Sequence, residues 1–178
     1  MRLFIAIEVS PEAAAQLLGA QKQLQTDNSK LTFTKSFHLT LKFLGEIAPA
    51  KAEEVKKKLQ TIQFKKFTAQ LDGTGVFPSE NYVRVVWVGI EPSDVIRDLQ
   101  RKIDDALTGL FQKEKEFKPH ITLARVKTVK DKKQFAEQVK NLKLAPVSFS
   151  VIQFKLIESQ LRGKEGPLYA DTAILPLA

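Results

Sequence analysis

The sequence predicts a bilobal protein of mixed helices and strands, in which two similar lobes face each other. Three observations support this prediction. Strand-like and helix-like patterns alternate along all 178 residues. The order strand, helix, histidine-containing strand, helix, strand occurs twice. The spacing also agrees, because 27 residues separate Pro11 from His38 and 28 separate Pro92 from His120.

The first copy begins with residues 2–9, where apolar side chains alternate as in a strand. Ser10 is a favourable N-cap and Pro11 a favourable first residue for the helix that follows. In order, the predicted elements are the strand RLFIAIEV, the helix PEAAAQLLGAQKQLQ, the strands KLTFTK and FHLTLKFLG, the helix APAKAEEVKKKLQTI and the strand FTAQLDGTGVF.

The second copy begins at residues 82–90, a run of β-branched and aromatic residues that favours a strand. Its elements are the strand YVRVVWVGI, the helix EPSDVIRDLQRKIDDALTGL, the strand PHITLARV, the helix VKDKKQFAEQVKNL and the strands PVSFSVIQFKLIES and LYADTAILPL. Such a repeat predicts an internal duplication within one domain, residues 1–178, with approximate halves 1–80 and 81–178. Corresponding residues, such as His38 and His120, would then face each other across a groove.

The composition predicts a folded protein, and its positive charge has two explanations. An apolar share of 43% and twelve phenylalanines provide a core, which excludes a disordered chain. No apolar run approaches the ~20 residues that span a bilayer, and the lack of cysteine excludes disulfides and thiolate metal sites. A net charge of +8 favours nucleic acid, although a lysine-rich solvated surface explains it equally well. We expect a cytoplasmic monomer.

The only two histidines each open the sequence His-x-Thr-Leu. Alternation along a strand places His38, Thr40 and Lys42 on one face and, in the second motif, His120 and Thr122 on one face. A structural, half-buried role for each histidine is the alternative, and the second occurrence in a matching place weakens it. Neither motif contains an acidic residue, so two histidines leave too few ligands for zinc.

The same alternation assigns the remaining side chains near the motifs. It directs Phe43 towards the core, where we also expect Phe37. Arg125 has the parity of core-facing residues, so it reaches the groove only if the strand ends or bulges near Ala124. Lys42 has the parity of the histidine and is a candidate phosphate ligand.

Paired histidines and threonines indicate acid–base chemistry at phosphorus. An imidazole has an unperturbed pKa of ~6.5, so one copy can be neutral and another charged near neutral pH. A neutral imidazole takes a proton from the attacking oxygen, while an imidazolium gives a proton to the leaving oxygen. The threonine hydroxyls would hold the non-bridging oxygens, and a nearby cation would offset their charge.

The sequences FHLTLKFLGE and FKPHITLARV resemble the two signature motifs of the 2H phosphoesterase superfamily, and within it the RNA 2′,3′-cyclic phosphodiesterases, or 2′-5′ RNA ligase-like proteins. The resemblance covers nearly the whole chain. It implies a bilobal α+β fold with an antiparallel sheet in each lobe and the motifs lining the central groove. It also implies opening of a 2′,3′-cyclic phosphate to a 2′-phosphate without metal or cofactor. His38 and His120 carry over as catalytic residues, and Thr40, Thr122 and Arg125 as phosphate-binding residues.

Three alternatives remain open. The substrate could be a small cyclic nucleotide or a 2′-5′ oligonucleotide, and weak 2′-5′ joining is possible because an enzyme speeds both directions of a reaction. The sequence contains no G-x-x-x-x-G-K-[ST] motif, which argues against ligation driven by ATP. A non-enzymatic RNA-binding module would explain the charge but not the paired motifs.

Overall fold

The computed structural model describes residues 1–163 and 166–178, which form nine strands and four helices. In chain order the elements are β1 (Arg2–Glu8), α1 (Pro11–Gln23), β2 (Ser29–Phe33), β3 (His38–Glu46), α2 (Pro49–Leu59), β4 (Phe67–Ser79), β5 (Tyr82–Glu91), α3 (Ser93–Ala106), β6 (His120–Val129), α4 (Lys132–Lys140), β7 (Ser148–Val151), β8 (Gln153–Leu161) and β9 (Pro167–Pro176). No helix within the described ranges is long and apolar enough to cross a membrane.

The strands form one antiparallel sheet in the order β7-β4-β5-β6-β3-β1-β8-β9, with β2 paired to β6 outside this path. At its centre, β3 contacts β6 through the pair Leu39 and Ile121. We define lobe A as β3, β1, β8 and β9, and lobe B as β6, β5, β4 and β7. The α+β architecture and the antiparallel pairing are as predicted, and the two predicted sheets are joined edge to edge at their motif strands.

Each lobe contains strands from distant parts of the chain. In lobe A, β8 pairs with β1, so that Leu3 lies opposite Glu158 and Ala6 opposite Lys155. In lobe B, β4 pairs with β5. The sheet therefore does not divide at residue 80. The internal duplication stays a prediction. In that interpretation β4 ends the first copy and pairs with β5 of the second copy, and β8 of the second copy pairs with β1 of the first.

The segment 146–159, which the sequence predicts as one strand, belongs to two strands in different lobes. The edge strand β7 pairs with β4 in lobe B, whereas β8 pairs with β1 and β9 in lobe A. The break falls at Ile152, whose side chain is about half exposed. Apolar and β-branched residues continue on both sides of it, so composition alone gave no sign of the break.

The main hydrophobic core lies between one face of the sheet and the helices. Fully buried members from the strands and from each helix are Ile5, Leu39, Leu123, Leu17, Val55, Leu99 and Phe135. The predicted start of α1 is confirmed, because the Ser10 hydroxyl accepts a hydrogen bond from the amide of Ala13 and Pro11 is the first helical residue. A second, small apolar cluster of Phe4, Ala6 and Ile157 lies apart from the main core.

Candidate active site

The strands β3 and β6 each begin at a histidine and follow the same course. Their patterns of buried and exposed residues are identical over the first nine positions, which is the whole length of β3. Leu39 and Ile121, which directly follow the histidines, pair with each other and are fully buried. A local two-fold axis through this pair therefore relates the two motifs.

This pairing brings the two histidine motifs onto neighbouring strands. Continued in a regular antiparallel register, it sets His38 opposite Thr122 and Thr40 opposite His120. All four side chains then project from the face opposite to the buried pair. In that register the two histidines would be diagonal neighbours, which lie about 7–8 Å apart.

Each motif strand contains a β-bulge three residues after its histidine. In β3 the extra residue is Leu41, which lies between the partners of Ile5 and Ala6. In β6 the extra residue is Leu123. Beyond a bulge the alternation of side chains shifts by one position, so every later residue points to the face opposite to the one that simple parity predicts.

The bulge in β6 turns Arg125 away from the core. Its side chain is exposed. Burial raises the pKa of the Tyr169 hydroxyl, and the charges of Arg125 and Arg2 oppose that rise. The ring of Tyr169 also packs edge-on against the ring of His38, with centroids 5.4 Å apart. Arg125 of lobe B therefore lies on the histidine face, close to a side chain of lobe A.

The prediction that Lys42 shares the histidine face is wrong, because the bulge turns its side chain into the interior, where it is 3% exposed. Its Nζ donates hydrogen bonds to Asp104 Oδ1 at 2.6 Å and to the carbonyl oxygen of Gln112 at 2.8 Å, and lies 3.5 Å from Glu114 Oε1. Burial alone would raise the pKa of Asp104, but the hydrogen bonds it accepts, first among them that from Lys42, lower it. Lys42 therefore anchors β3 to α3 and its ammonium is not available to a phosphate.

The prediction that Phe43 belongs to the core is also wrong, for the same reason. Its side chain is 68% exposed. Its ring centroid lies 6.1 Å from that of Phe4, and the Phe4 ring lies 4.9 Å from the imidazole of His38. Phe43 therefore lies on the histidine face. Phe37 is buried in the core, as predicted.

The imidazole of His38 is enclosed by aromatic rings. Phe4 and Tyr169 contact it, at centroid distances of 4.9 and 5.4 Å. Burial lowers the pKa of His38 to about 4, against the opposing effect of the Glu8 carboxylate. That carboxylate is paired with Lys155, whose Nζ lies 2.6 Å from Glu8 Oε2. His38 is therefore neutral at physiological pH.

The imidazole of His120 is held by a backbone hydrogen bond. Its Nδ1 lies 2.7 Å from the carbonyl oxygen of Lys118. A carbonyl oxygen only accepts hydrogen bonds, so Nδ1 carries a proton. Nε2 is the ring nitrogen that can exchange a proton with a substrate. Burial lowers the pKa of His120, the hydrogen bond to the carbonyl oxygen opposes this, and the charge of Lys118 adds to it. The ring of Phe77 packs edge-on at 4.9 Å.

The sequence analysis missed the aromatic side chains that surround the histidines. The ring centroids of Trp87 and His120 lie 6.2 Å apart, and the Lys118 Nζ lies 4.5 Å from the Trp87 ring centroid. A side chain at Gly75 would overlap the Trp87 ring, because a Cβ there would lie 2.2 Å from its nearest atom. Packing against Trp87 thus explains why residue 75 is a glycine. A cavity of about 190 Å³ opens beside Trp87 and Lys118.

Within residues 1–163 and 166–178, no group of three or more histidine, aspartate or glutamate side chains is arranged to hold a metal ion. Metal independence of the chemistry stays a prediction.

Comparison with known proteins identifies the family. A family model described as the 2′-5′ RNA ligase superfamily matches residues 9–163. The chain belongs to the 2′-5′ RNA ligase superfamily. A relative within it, the RNA 2′,3′-cyclic phosphodiesterase of Methanocaldococcus jannaschii, is 33% identical over 171 residues, which are 95% of this chain and 96% of that protein. The resemblance predicted from the two motifs is confirmed.

Solved structures of other proteins share this architecture. A crystal structure of a protein from Thermus thermophilus has a TM-score of 0.79 and 29% identity, and covers 99% of this chain and 97% of its own. The E. coli LigT structure, solved in complex with 3′-AMP, has a TM-score of 0.75 and 26% identity, with 99% and 97% covered. Both structures therefore share the overall fold of the described chain.

Proposed function

We propose that this protein hydrolyses 2′,3′-cyclic phosphate ends of RNA to 2′-phosphates by acid–base catalysis with two histidines. The observation that carries the proposal is the pairing of Leu39 with Ile121, because it unites two His-x-Thr motifs on one face. The name of the Methanocaldococcus jannaschii relative and the 3′-AMP bound to E. coli LigT support a nucleotide phosphate as the substrate group. The net charge of +8 favours RNA.

His38 is the general base in this proposal. Its ring contacts Phe4 and Tyr169, and the described part of the chain offers it no hydrogen-bond partner that would stabilise a charged imidazolium. A pKa of about 4 keeps it neutral over the physiological range. A neutral imidazole accepts a proton from water as the water oxygen attacks phosphorus.

His120 is the general acid. Its Nδ1 proton is donated to the Lys118 carbonyl oxygen, an arrangement that stabilises the imidazolium and aims Nε2 away from the backbone. As the water oxygen bonds to phosphorus, the bond from phosphorus to the ribose 3′-oxygen breaks. The Nε2 proton passes to that oxygen, and the 2′-phosphate remains. His38 gains one proton and His120 loses one, so the charge of the pair is conserved.

Thr40, Thr122 and Arg125 bind the phosphate in this proposal. Both hydroxyls belong to the His-x-Thr motifs and share their face, where each donates a hydrogen bond to a non-bridging oxygen. The bulge at Leu123 turns the guanidinium of Arg125 to the same face. Preorganised donors of this kind stabilise the charge that develops on the phosphoryl oxygens in the transition state.

The test is incubation of the protein with an RNA oligonucleotide that ends in a 2′,3′-cyclic phosphate, with and without EDTA. We expect a 2′-phosphate product at the same rate in both. A folded His120→Ala variant, as the matched control, should form product at least about 10²-fold more slowly. A 3′-phosphate product, or activity that EDTA removes and one divalent ion restores, would contradict the proposed mechanism.

The same site supports a second candidate activity. If the 5′-hydroxyl of another RNA takes the place of water, the attack joins the two strands through a 2′-5′ linkage. A neutral imidazole accepts a proton from a ribose hydroxyl as it does from water, so the same pair of histidines serves either nucleophile. Small cyclic nucleotides remain alternative substrates, and the monomeric state and cytoplasmic location stay predictions.

A further inference from the structure

We propose that Lys155 is a positioning residue for His38: it holds the Glu8 carboxylate and balances its charge, and so keeps the imidazole uncharged. The inference rests on the proposed function, because His38 acts there as the general base, which must be neutral to accept a proton. Lys155 acts through Glu8 and takes no part in the proton transfers themselves.

Glu8 and His38 are neighbours across the sheet. They pair directly where β1 meets β3, and directly opposite side chains share a face, with Cβ atoms about 4.5–5.5 Å apart. A carboxylate at such a distance stabilises an imidazolium. Burial, the larger effect, lowers the pKa of His38, and the charge of Glu8 raises it. A Glu8 carboxylate without a cation would therefore favour the charged form of the imidazole.

Lys155 supplies that cation from the strand on the other side of β1. Its Nζ lies 2.6 Å from Glu8 Oε2 and 2.7 Å from Asp171 Oδ2, so one ammonium joins β1, β8 and β9. Burial alone would lower the pKa of Lys155, but hydrogen bonds to Asp171 and Glu8 raise it, so the ammonium stays charged. The Lys155 side chain is 11% exposed, and salt screens a partly buried ion pair less than a surface pair.

The register of the sheet favours this role for Lys155 over phosphate binding. Lys155 pairs with Ala6, which makes it the diagonal neighbour of Glu8, within reach of a long side chain. Ala6 in turn pairs with Thr40, so two strand spacings, roughly 9–10 Å, separate the backbones of Lys155 and Thr40. With both carboxylates bound to its ammonium, Lys155 is committed to lobe A.

Other charged or titratable groups also surround His38. The strands packed around it contribute Arg2, Asp171, Tyr169, Arg125 and His120. Among these groups and Glu8, it is the charge of Glu8 that acts on the pKa of His38. The ion pair of Glu8 with Lys155 is therefore the contact through which a substitution should change the protonation of the imidazole.

The experiment follows the protonation of His38 directly. The chain contains two histidines, so NMR of histidine rings labelled with ¹⁵N gives two titrations, which His120→Gln assigns. Lys155→Met should raise the midpoint of the His38 titration by roughly one pH unit, because the charge of Glu8 is no longer balanced. Glu8→Gln should lower the midpoint, since the carboxylate is gone. In the Glu8→Gln background, Lys155→Met should have little further effect.

Steady-state kinetics with adenosine 2′,3′-cyclic phosphate provide the second readout. The acid limb of the pH profile of kcat/KM should move in the same direction as the His38 titration and by a similar amount. A loss of stability alone would not shift this limb in opposite directions for Lys155→Met and Glu8→Gln. Lys140→Met is the control, because it removes a 2.9 Å ion pair with Glu80, and it should leave titration and profile unchanged.

A His38 titration that Lys155→Met leaves unchanged, or shifts equally when residue 8 is glutamine, would overturn the proposal. The NMR measurement needs no turnover, which separates this proposal from the proposed function. If the titrations shift as expected but the protein turns over no cyclic phosphate, the proposed hydrolysis fails and the role of Lys155 stands. If turnover is normal and neither the titration nor the acid limb moves, the role of Lys155 fails and the hydrolysis stands.

Discussion

The side-chain amide of Gln21, in α1, donates a 2.9 Å hydrogen bond to the carbonyl oxygen of Leu123, the residue at which β6 bulges. The same amide donates a 2.7 Å hydrogen bond to the carbonyl oxygen of Thr34. The Leu123 oxygen also accepts a hydrogen bond from the amide of Thr34, at 2.9 Å. Gln21 is 6% exposed, so these contacts are made without competition from water. They hold the bulge that directs Arg125 to the histidines.

Replacement of Gln21 by leucine should lower both the stability and the activity. The Leu123 oxygen keeps the Thr34 amide as a donor, whereas the part-buried Thr34 oxygen loses the donor that Gln21 provides. A carbonyl oxygen left unsatisfied in this way should cost about 1–3 kcal/mol in the free energy of unfolding. The replacement should also reduce kcat/KM, but not in a background that already carries Arg125→Ala, because the loss acts through Arg125. Urea denaturation and kinetics of the single and double variants measure this. Gln16→Leu on the same helix is the control, and additive losses of activity would contradict the link to Arg125.

The two histidines should behave as one catalytic unit. His38→Ala and His120→Ala should each reduce kcat/KM at least about 10²-fold, because each removes one proton transfer. The double variant should be little slower than either single variant, since residues that act together are strongly non-additive. Steady-state kinetics on one cyclic-phosphate substrate test this, with circular dichroism to confirm folding. Near wild-type turnover by a folded single variant would rule out the two-histidine mechanism.

The pH profile of kcat/KM should be bell-shaped, with its optimum on the acid side of 6.5. The active form has His38 neutral and His120 charged, and burial lowers the pKa of both below that ordinary value. Activity therefore falls at low pH as His38 gains a proton and at higher pH as His120 loses one. Measurements from about pH 4 to 9 check the profile. A plateau that extends unchanged through pH 8 would contradict the assigned states.

The lowered pKa of His38 should also make the folded state less stable in acid. Between about pH 4 and 6.5 the unfolded chain binds a proton at this residue that the native state does not. The contribution of neutral His38 to the stability of the folded state is complete above pH 6.5. It is lost as the pH falls through 4, which lowers the free energy of unfolding by up to about 3 kcal/mol. The free energy of unfolding, measured with urea at several pH values, should depend less steeply on pH for His38→Gln than for the wild type. Parallel curves would indicate that the imidazole charges freely in the native state.

Lys42 should matter for folding rather than for phosphate binding. Lys42→Ala leaves Asp104 buried without its ammonium partner, and breaking a buried ion pair in this way typically costs about 3–5 kcal/mol. Lys42→Met combined with Asp104→Leu should recover much of that loss. Denaturation curves measure the stabilities, and the KM of the folded double variant should stay close to the wild-type value. A large rise in KM of the double variant, at recovered stability, would indicate that Lys42 does bind the phosphate.

Strand periodicity predicted the first half of each motif correctly and the second half incorrectly. The buried positions of Leu39 and Ile121 follow from a period of two, since no bulge intervenes. Beyond the bulge the period slips by one residue, and Lys42 and Phe43 exchange the faces that parity gave them. Arg125 reaches the groove by the bulge that the sequence analysis required of it. The bulge in β6 depends on its pairing with β5 and on the hydrogen bond that Leu123 accepts from Gln21. The sequence of one strand reveals neither.

The aromatic residues that contact His38 could not be predicted from the sequence, for a different reason. Phe4 and Tyr169 contact His38 from strands at opposite ends of the chain, 34 residues before it and 131 after it. Their sequences are ordinary strand sequences, and nothing in their spacing marks them as site residues. The order of strands in the sheet brings them together, and that order follows from tertiary packing rather than from local pattern.

The pairing of β1 with β8 has a consequence for the rate of folding. Leu3 pairs with Glu158 and Ala6 with Lys155, so about 150 residues of chain separate the two strands. Closing so long a loop costs entropy before the pairing can compensate for it, and such non-local pairing forms slowly. Until β8 arrives, β1 exposes one unpaired edge, which is the part of the sheet most open to pairing with another chain.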